Sequence, residues 1–129
     1  MEKDNGIISL PGACPVRETI DKLEAALRAH GVTIYGRIDQ KAEAEKAGLV
    51  LRPIELLIFG NPRAGVPLMA KTPLTALDLP LKALAWEDEG GRTWLSYNSF
   101  EYLQERYALP GDLIGALSGV GKLIAASVA

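Results

Sequence analysis

The residues best placed to do chemistry lie where an apolar run breaks: Ile54 to Phe59 ends abruptly at Gly60-Asn61-Pro62-Arg63. Asn61 suits a helix N-cap and Pro62 a first helical residue. Open backbone N–H groups at such a helix start, together with Arg63, would hold a phosphate or carboxylate. The same residues also serve as plain turn chemistry: Gly60 for a positive φ, Asn61 as the cap, Pro62 to fix the entry. The glycine spacing after Phe59 fits neither a Walker loop nor a dinucleotide fingerprint.

A second set comprises Glu55, Asp78, Lys82, Glu87 and Asp88. Glu55 interrupts an otherwise apolar strand, which is costly unless a cation or an N–H lies near. Lys82 is a candidate partner if the two strands are neighbours, and Arg52 is another. A carboxylate–lysine pair in a cleft could carry out acid–base work, with Glu55 or Asp78 as the acid–base and Lys82 as electrostatic partner. The plainer alternative is a structural ion pair at a sheet edge. Glu87 and Asp88 precede a turn and are expected to face water.

Cys14, at a helix start, is the candidate nucleophile, since the helix dipole favours a thiolate. His30 lies at the far end of the same helix, roughly 24 Å away at 1.5 Å rise per residue, so the two form no dyad. His30 in a last turn complements the dipole. Trp86, Trp94, Tyr97, Tyr102 and Tyr107 could line a pocket, although such spacings more often mark core or dimer contacts.

These residues sit in a chain of 129 residues, 48% hydrophobic and 23% charged, with a net charge of −2. Such a composition describes one ordinary globular domain, spanning residues 1–129. Fourteen basic residues scattered among 16 acidic ones offer no electrostatic grip on nucleic acid. One cysteine and one histidine exclude an intrachain disulfide and His-pair metal motifs, so no metal or cofactor is expected. The start, MEKDNGIISL, lacks the apolar run of a signal peptide, and a cytoplasmic location is expected. The apolar stretch Leu113 to Val128 carries Lys122 and three glycines, and reads as a packed helix rather than a membrane span.

The elements that must position the candidates follow from periodicity. Ile7 to Leu10 reads as a strand before Pro11-Gly12. Val16, Ile20, Leu23, Leu27 and His30 recur at helical spacing, between Pro15 and Gly31. Val32, Ile34 and Ile38 alternate with Thr33, Tyr35 and Arg37, predicting a strand with one buried face. Asp39 caps a short helix closed by Gly48. Ile54 to Phe59, nearly continuous in apolar residues, predicts a central strand covered on both faces. A short helix from Pro62 to about Ala70 and a loop through Pro73 to Pro80 come next. Leu81–Asp88 and Arg92–Tyr97, joined through Gly-Gly, predict a hairpin. Asn98 and Glu101 have capping-box spacing before a helix to Tyr107, and Pro110 opens a final apolar helix over 110–129. Gly115 and Gly119, beside Leu113, Leu117 and Val120, would allow close helix approach, within the domain or across a two-fold axis. Strands and helices do not alternate regularly, so the class is α+β.

The segments ELLIFGNPRAGVPLM, ALDLPLKALAWED and VRETIDKLEAALRAHGVTIYGRID, in that family's order and spacing, resemble the bacterial domain-of-unknown-function family 302. The resemblance covers roughly residues 5–108. It implies a twisted, mainly antiparallel sheet packed by helices, of the β-α-β(4)-α (TBP-like) kind, often dimeric. It implies no activity. A helix-start position that is often a hydroxyl residue in that family is Cys14 here. Taken together, the expectation is a small homodimeric ligand-binding or accessory protein, with a possible small anionic ligand near Gly60, Asn61 and Arg63. An enzyme using Glu55 or Asp78 with Lys82, or a protein-interaction module, are the alternatives.

Overall fold

The computed structural model describes residues 3–128, the side chains of 3, 4, 112–114 and 116–118 excepted. One antiparallel sheet runs in the order β1-β2-β6-β5-β4-β3. Its strands are β1 (Lys3–Asp4), β2 (Ile7–Pro11), β3 (Thr33–Asp39), β4 (Ile54–Gly60), β5 (Leu81–Glu87) and β6 (Thr93–Asn98). The helices are α1 (Val16–Ala29), α2 (Gln40–Lys46), α3 (Pro62–Lys71), α4 (Phe100–Tyr107) and α5 (Gly111–Ser127). Apart from β1 and the insertions α2 and α3, this is β-α-β(4)-α with the last helical layer split into α4 and α5, and the class is α+β as the residue pattern indicates.

The helical stripe of α1 works as its spacing predicts: Ile20, Leu23 and Leu27 are fully buried. Each contributes about 1.5–3 kcal/mol relative to exposure. They pack on one face of the sheet against Leu57, Phe59, Ala83, Ala85 and Leu95. α5 lies beside α1 and touches α3 and α4, with Ile124 buried in the same core. Of the proposed groove on that helix, Leu113 and Leu117 lie outside the described side chains. Gly115 and Gly119 have no atom within 4 Å of a would-be Cβ.

Sequence and structure part company in β3. The register against β4 shifts between Ile34 and Gly36, leaving Tyr35 as an extra residue. A bulge of this kind exchanges the two faces of the strand beyond it. Ile34 pairs with Phe59 on the helix-covered face, but Arg37 pairs with Leu57 on that face and Ile38 with Leu56 on the other. Strict alternation, which would have put Ile38 inside and Arg37 outside, therefore fails after residue 35.

β4 is also not covered on both faces. Glu55, Leu57 and Phe59 are buried under the helices, whereas Ile54, Leu56 and Ile58 point to the open side and are only half-buried. Its continuous apolar run reflects one core face and one bare apolar face. Two caps differ by one position from the sequence reading. Ser99, not Asn98, caps α4 by accepting from Tyr102 N, because Asn98 still belongs to β6. Pro15, whose fixed φ suits a first helical position, is instead the N-cap of α1. The stretch after α3 forms a 3-10 helix, Pro73–Leu77.

Candidate functional site

Gly60 ends β4 without a positive φ; the positive-φ glycines are Gly6, Gly31, Gly48 and Gly91. What Gly60 supplies is space: a Cβ there would stand 3.4 Å from Cε2 of Tyr35, the bulged residue of β3. Asn61 caps α3 as expected, its Oδ1 accepting from Arg63 N at 3.0 Å. Ala64 N and Gly65 N both donate to Asn61 O at 2.9 Å. Pro62 has no N–H to give, so the donors of this first turn are engaged within the turn itself. An anion here would depend on the exposed side chain of Arg63. Beside the turn lies a cleft of about 210 Å³, bounded by Tyr35, Gly60, Asn61, Gly65, Met69 and Pro80.

Glu55 is 4% exposed, and the bulge supplies its partner. Arg37 Nε reaches Glu55 Oε2 at 2.6 Å, and Arg37 also meets Asp21 at 2.7 Å and Glu24 at 3.3 Å, both on α1. Arg17 stands 3.9 Å from the other Glu55 oxygen and 3.3 Å from Asp39. Burial works to lower the Arg37 pKa, but hydrogen bonds and charge from Glu55 and Asp21 outweigh it and hold the guanidinium above its ordinary value. The expected Glu55–Lys82 pair does not form. Their strands are neighbours, but Glu55 pairs in register with Ala85 and Lys82 with Ile58, which puts the two side chains on opposite faces. The residues grouped as one ligand site thus separate, with Gly60, Asn61 and Arg63 at the turn and Glu55 and Lys82 apart from it.

Asp78 and Lys82 do border one crevice beneath α5, but it holds only about 20 Å³, room for a single water. Asp78 Oδ2 accepts from Tyr107 Oη and lies 3.2 Å from Arg106. That hydrogen bond to Asp78, together with burial, raises the Tyr107 pKa. Asp88 does more than face water: Oδ1 caps the hairpin by accepting from Gly90 N and Arg92 N, and Oδ2 accepts from Trp94 Nε1. The hydrogen bond from Trp94, then those from the backbone, hold its carboxyl below the ordinary value. Cys14 has Lys22 Nζ 3.7 Å from its sulfur. His30 caps α1 and bonds Ala26 O through Nδ1. Trp86 and Trp94 stack at 6.3 Å on the open face of the sheet, and Trp86 Nε1 donates to Ser96 Oγ. Among the described residues, no group of three or more His, Cys, Asp or Glu could hold a metal, and no buried side-chain polar atom lacks a partner.

Sequence reasoning did not find Arg37 or Tyr35. The signal for both was Gly36 within an alternating run, since a glycine inside a strand often marks a bulge.

The fold and these sites define a class first: an antiparallel sheet packed by helices, with its buried carboxylate Glu55 paired to Arg37 and an apolar cleft at a strand-to-helix turn. The chain belongs to the family described as Domain of unknown function DUF302, whose sequence model matches residues 8–126. The match takes in most of α5, beyond the 5–108 that the motifs alone delimit. A solved structure described as an uncharacterized conserved protein DUF302 from Bacillus stearothermophilus shares the fold, with TM-score 0.78, 20% identity and 95% of each chain covered. Among curated relatives, "Fluoride-specific ion channel FluC 1" of Brucella suis biovar 1 is 42% identical over 106 residues, 82% of this chain. "Fluoride-specific ion channel FluC 2" of Brucella melitensis biotype 1 has the same identity over the same length. The chain spans only 42% and 39% of those two relatives. Among the described residues, no helix is long and apolar enough to cross a membrane.

Proposed function

We propose that this chain is a small homodimeric binding and accessory protein of the cytoplasm rather than a catalyst. The observation that carries the reading is the uncovered face of the sheet. Half-exposed antiparallel sheets normally alternate apolar-in with polar-out. Here the outer positions are Ile54, Leu56 and Ile58 on β4, Leu84 and Trp86 on β5, and Ile38 on β3, with Lys82 as a lone charge among these three strands. Leu49, Val50 and Leu51, a few residues before β4 in the chain, are exposed as well, Val50 at 98%. Polar atoms on the face are already matched to one another: Trp86 Nε1 to Ser96, and Ser96 to Ser9 at 2.7 Å. A second apolar face would therefore cover these atoms without stranding a donor among them, Lys82 being the one charge it would have to leave in water. Five strands about 4.8 Å apart, each roughly 20 Å long, make a plane of about 480 Å². That is more than half of the ~800 Å² per partner of an ordinary specific interface.

The Brucella chains support the accessory part of the proposal. There the matching region is a minority of a longer polypeptide named as an ion channel, a place suited to a unit that works beside another protein. Sedimentation velocity at micromolar concentration tests the dimer. The wild-type chain should sediment at twice the monomer mass, and Leu84→Glu, at the middle of the open face, should sediment as a folded monomer. A wild-type chain that stays monomeric across the range, or a Leu84→Glu variant that remains dimeric, refutes the assignment.

A further inference from the structure

The cleft beside the Gly60 turn takes no part in any of the ion pairs described above. Its volume of about 210 Å³ exceeds the roughly 150 Å³ of an engineered apolar cavity that takes up benzene. Glycine at 60 and 65 leaves the floor bare, and the β3 bulge brings the Tyr35 ring across it. Met69 supplies an adaptable, polarizable wall suited to an aromatic edge. No Asp, Glu, Lys, Arg or His lines the cleft, so nothing there offsets the desolvation of a charged ligand. Asn61 offers a fixed polar group: its Oδ1 is held by Arg63 N, which leaves the Nδ2 amide as a donor.

We infer that this cleft binds a small uncharged aromatic molecule of one or two rings that carries a hydrogen-bond acceptor. The inference deepens the binding half of the reading above and stands independently of dimer formation. Tyr35 supplies the stacking wall, Gly60 and Gly65 the room, and Asn61 the polar anchor. This replaces the anionic ligand expected from the sequence, because the turn's N–H groups are spent on the turn.

Quinoline at pH 8, where it is uncharged, is a suitable probe, with quinoline-2-carboxylate as its charged counterpart. In two-dimensional amide and methyl NMR spectra of the full chain, quinoline should shift Gly60, Gly65 and the Met69 methyl saturably. The carboxylate should bind at least tenfold more weakly. Gly65→Phe fills the cleft and should abolish the shifts. Tyr35→Ala, at an exposed position that the core does not need, should weaken binding at least threefold and keeps the test decisive if Gly65→Phe does not fold. The proposal is overturned if no saturable shift appears at those residues, if the carboxylate binds as well as quinoline, or if folded Gly65→Phe still binds. Loss of quinoline binding with an intact dimer would leave the accessory reading standing; a monomer that binds quinoline would do the reverse.

Discussion

Replacing Arg37 by alanine removes the main partner of a carboxylate that is 4% exposed. Stripping one member from a buried ion pair costs about 3–5 kcal/mol, because the remaining charge is left without a partner. Two features of this site reduce that figure. Water reaches the Arg37 side chain, which is 26% exposed, and Arg17 stands 3.9 Å from Glu55 as a substitute cation. A loss of about 2–4 kcal/mol is then expected. At roughly 2.1 cal/mol/K of unfolding entropy per residue, a chain of this length loses about 3.7 °C of Tm per kcal/mol. Arg37→Ala should therefore lower Tm by about 7–15 °C in calorimetry at pH 7. Glu55→Gln should cost less, since Arg37 keeps Asp21 and Glu24 and the amide oxygen can still accept. The double variant Arg37→Met/Glu55→Leu should come within ~1 kcal/mol of wild type, as apolar replacements of buried pairs often do. A Tm loss below about 3 °C for Arg37→Ala, or a double variant as damaged as the sum of the singles, would refute this account of the site.

Asn61→Ala removes the α3 cap and should cost about 1 kcal/mol by urea unfolding. Gly65→Ala should stabilise by up to ~1 kcal/mol in the same assay, since its Cβ would meet Met69 and Leu79 only at 3.8 and 3.9 Å within a helix. Gly6→Ala should destabilise, because φ is +82° and the new Cβ would fall 2.6 Å from the Tyr102 side chain; a raised urea midpoint would contradict this. The Asp39 carboxyl sits below its ordinary value, chiefly through the hydrogen bond from Ala42 N and then through Arg17. Its contribution is thus fully present above the unfolded pKa of about 3.9 and is lost as pH falls through the lower folded value. Wild-type stability should drop more steeply below pH ~4 than that of Asp39→Asn, as followed by urea midpoints from pH 7 to 2.5.

Much of the architecture was legible because local signals agreed with the tertiary outcome. The stripe Val16 to Leu27, the Asp39 cap, the Gly48 stop and the Gly-Gly hairpin each name their own element. The family motifs place the strands in order. Two kinds of information were not local. Period-2 reading assumes an unbroken register, and the extra residue at Tyr35 turned Arg37 inward and Ile38 outward. The partner of Glu55 therefore could not be chosen from spacing, and the nearest cation by strand adjacency, Lys82, fell on the wrong face. The turn at Gly60 to Arg63 was read correctly as a cap. That its N–H groups would all be engaged, and that a cleft would open beside it, depends on where Tyr35 and Pro80 arrive from other parts of the chain.

The sheet order has a consequence for how the molecule comes to be made. β4, β5 and β6 are each laid beside the strand that precedes them, so β3 through β6 can zip together as they emerge. β2 is different: beyond the two-residue β1, its hydrogen-bonded neighbour is β6, and Ser9 meets Ser96 across 87 residues. At a synthesis rate of about 5–20 residues per second, β2 waits roughly 4–17 s for that neighbour to exist. During that interval Ile8 and Leu10, which later face the helices, have no sheet to join. β2, made before every strand but β1, must wait for the last strand made, and the pairing of β2 with β6 is the long-range contact whose closure should set the folding rate.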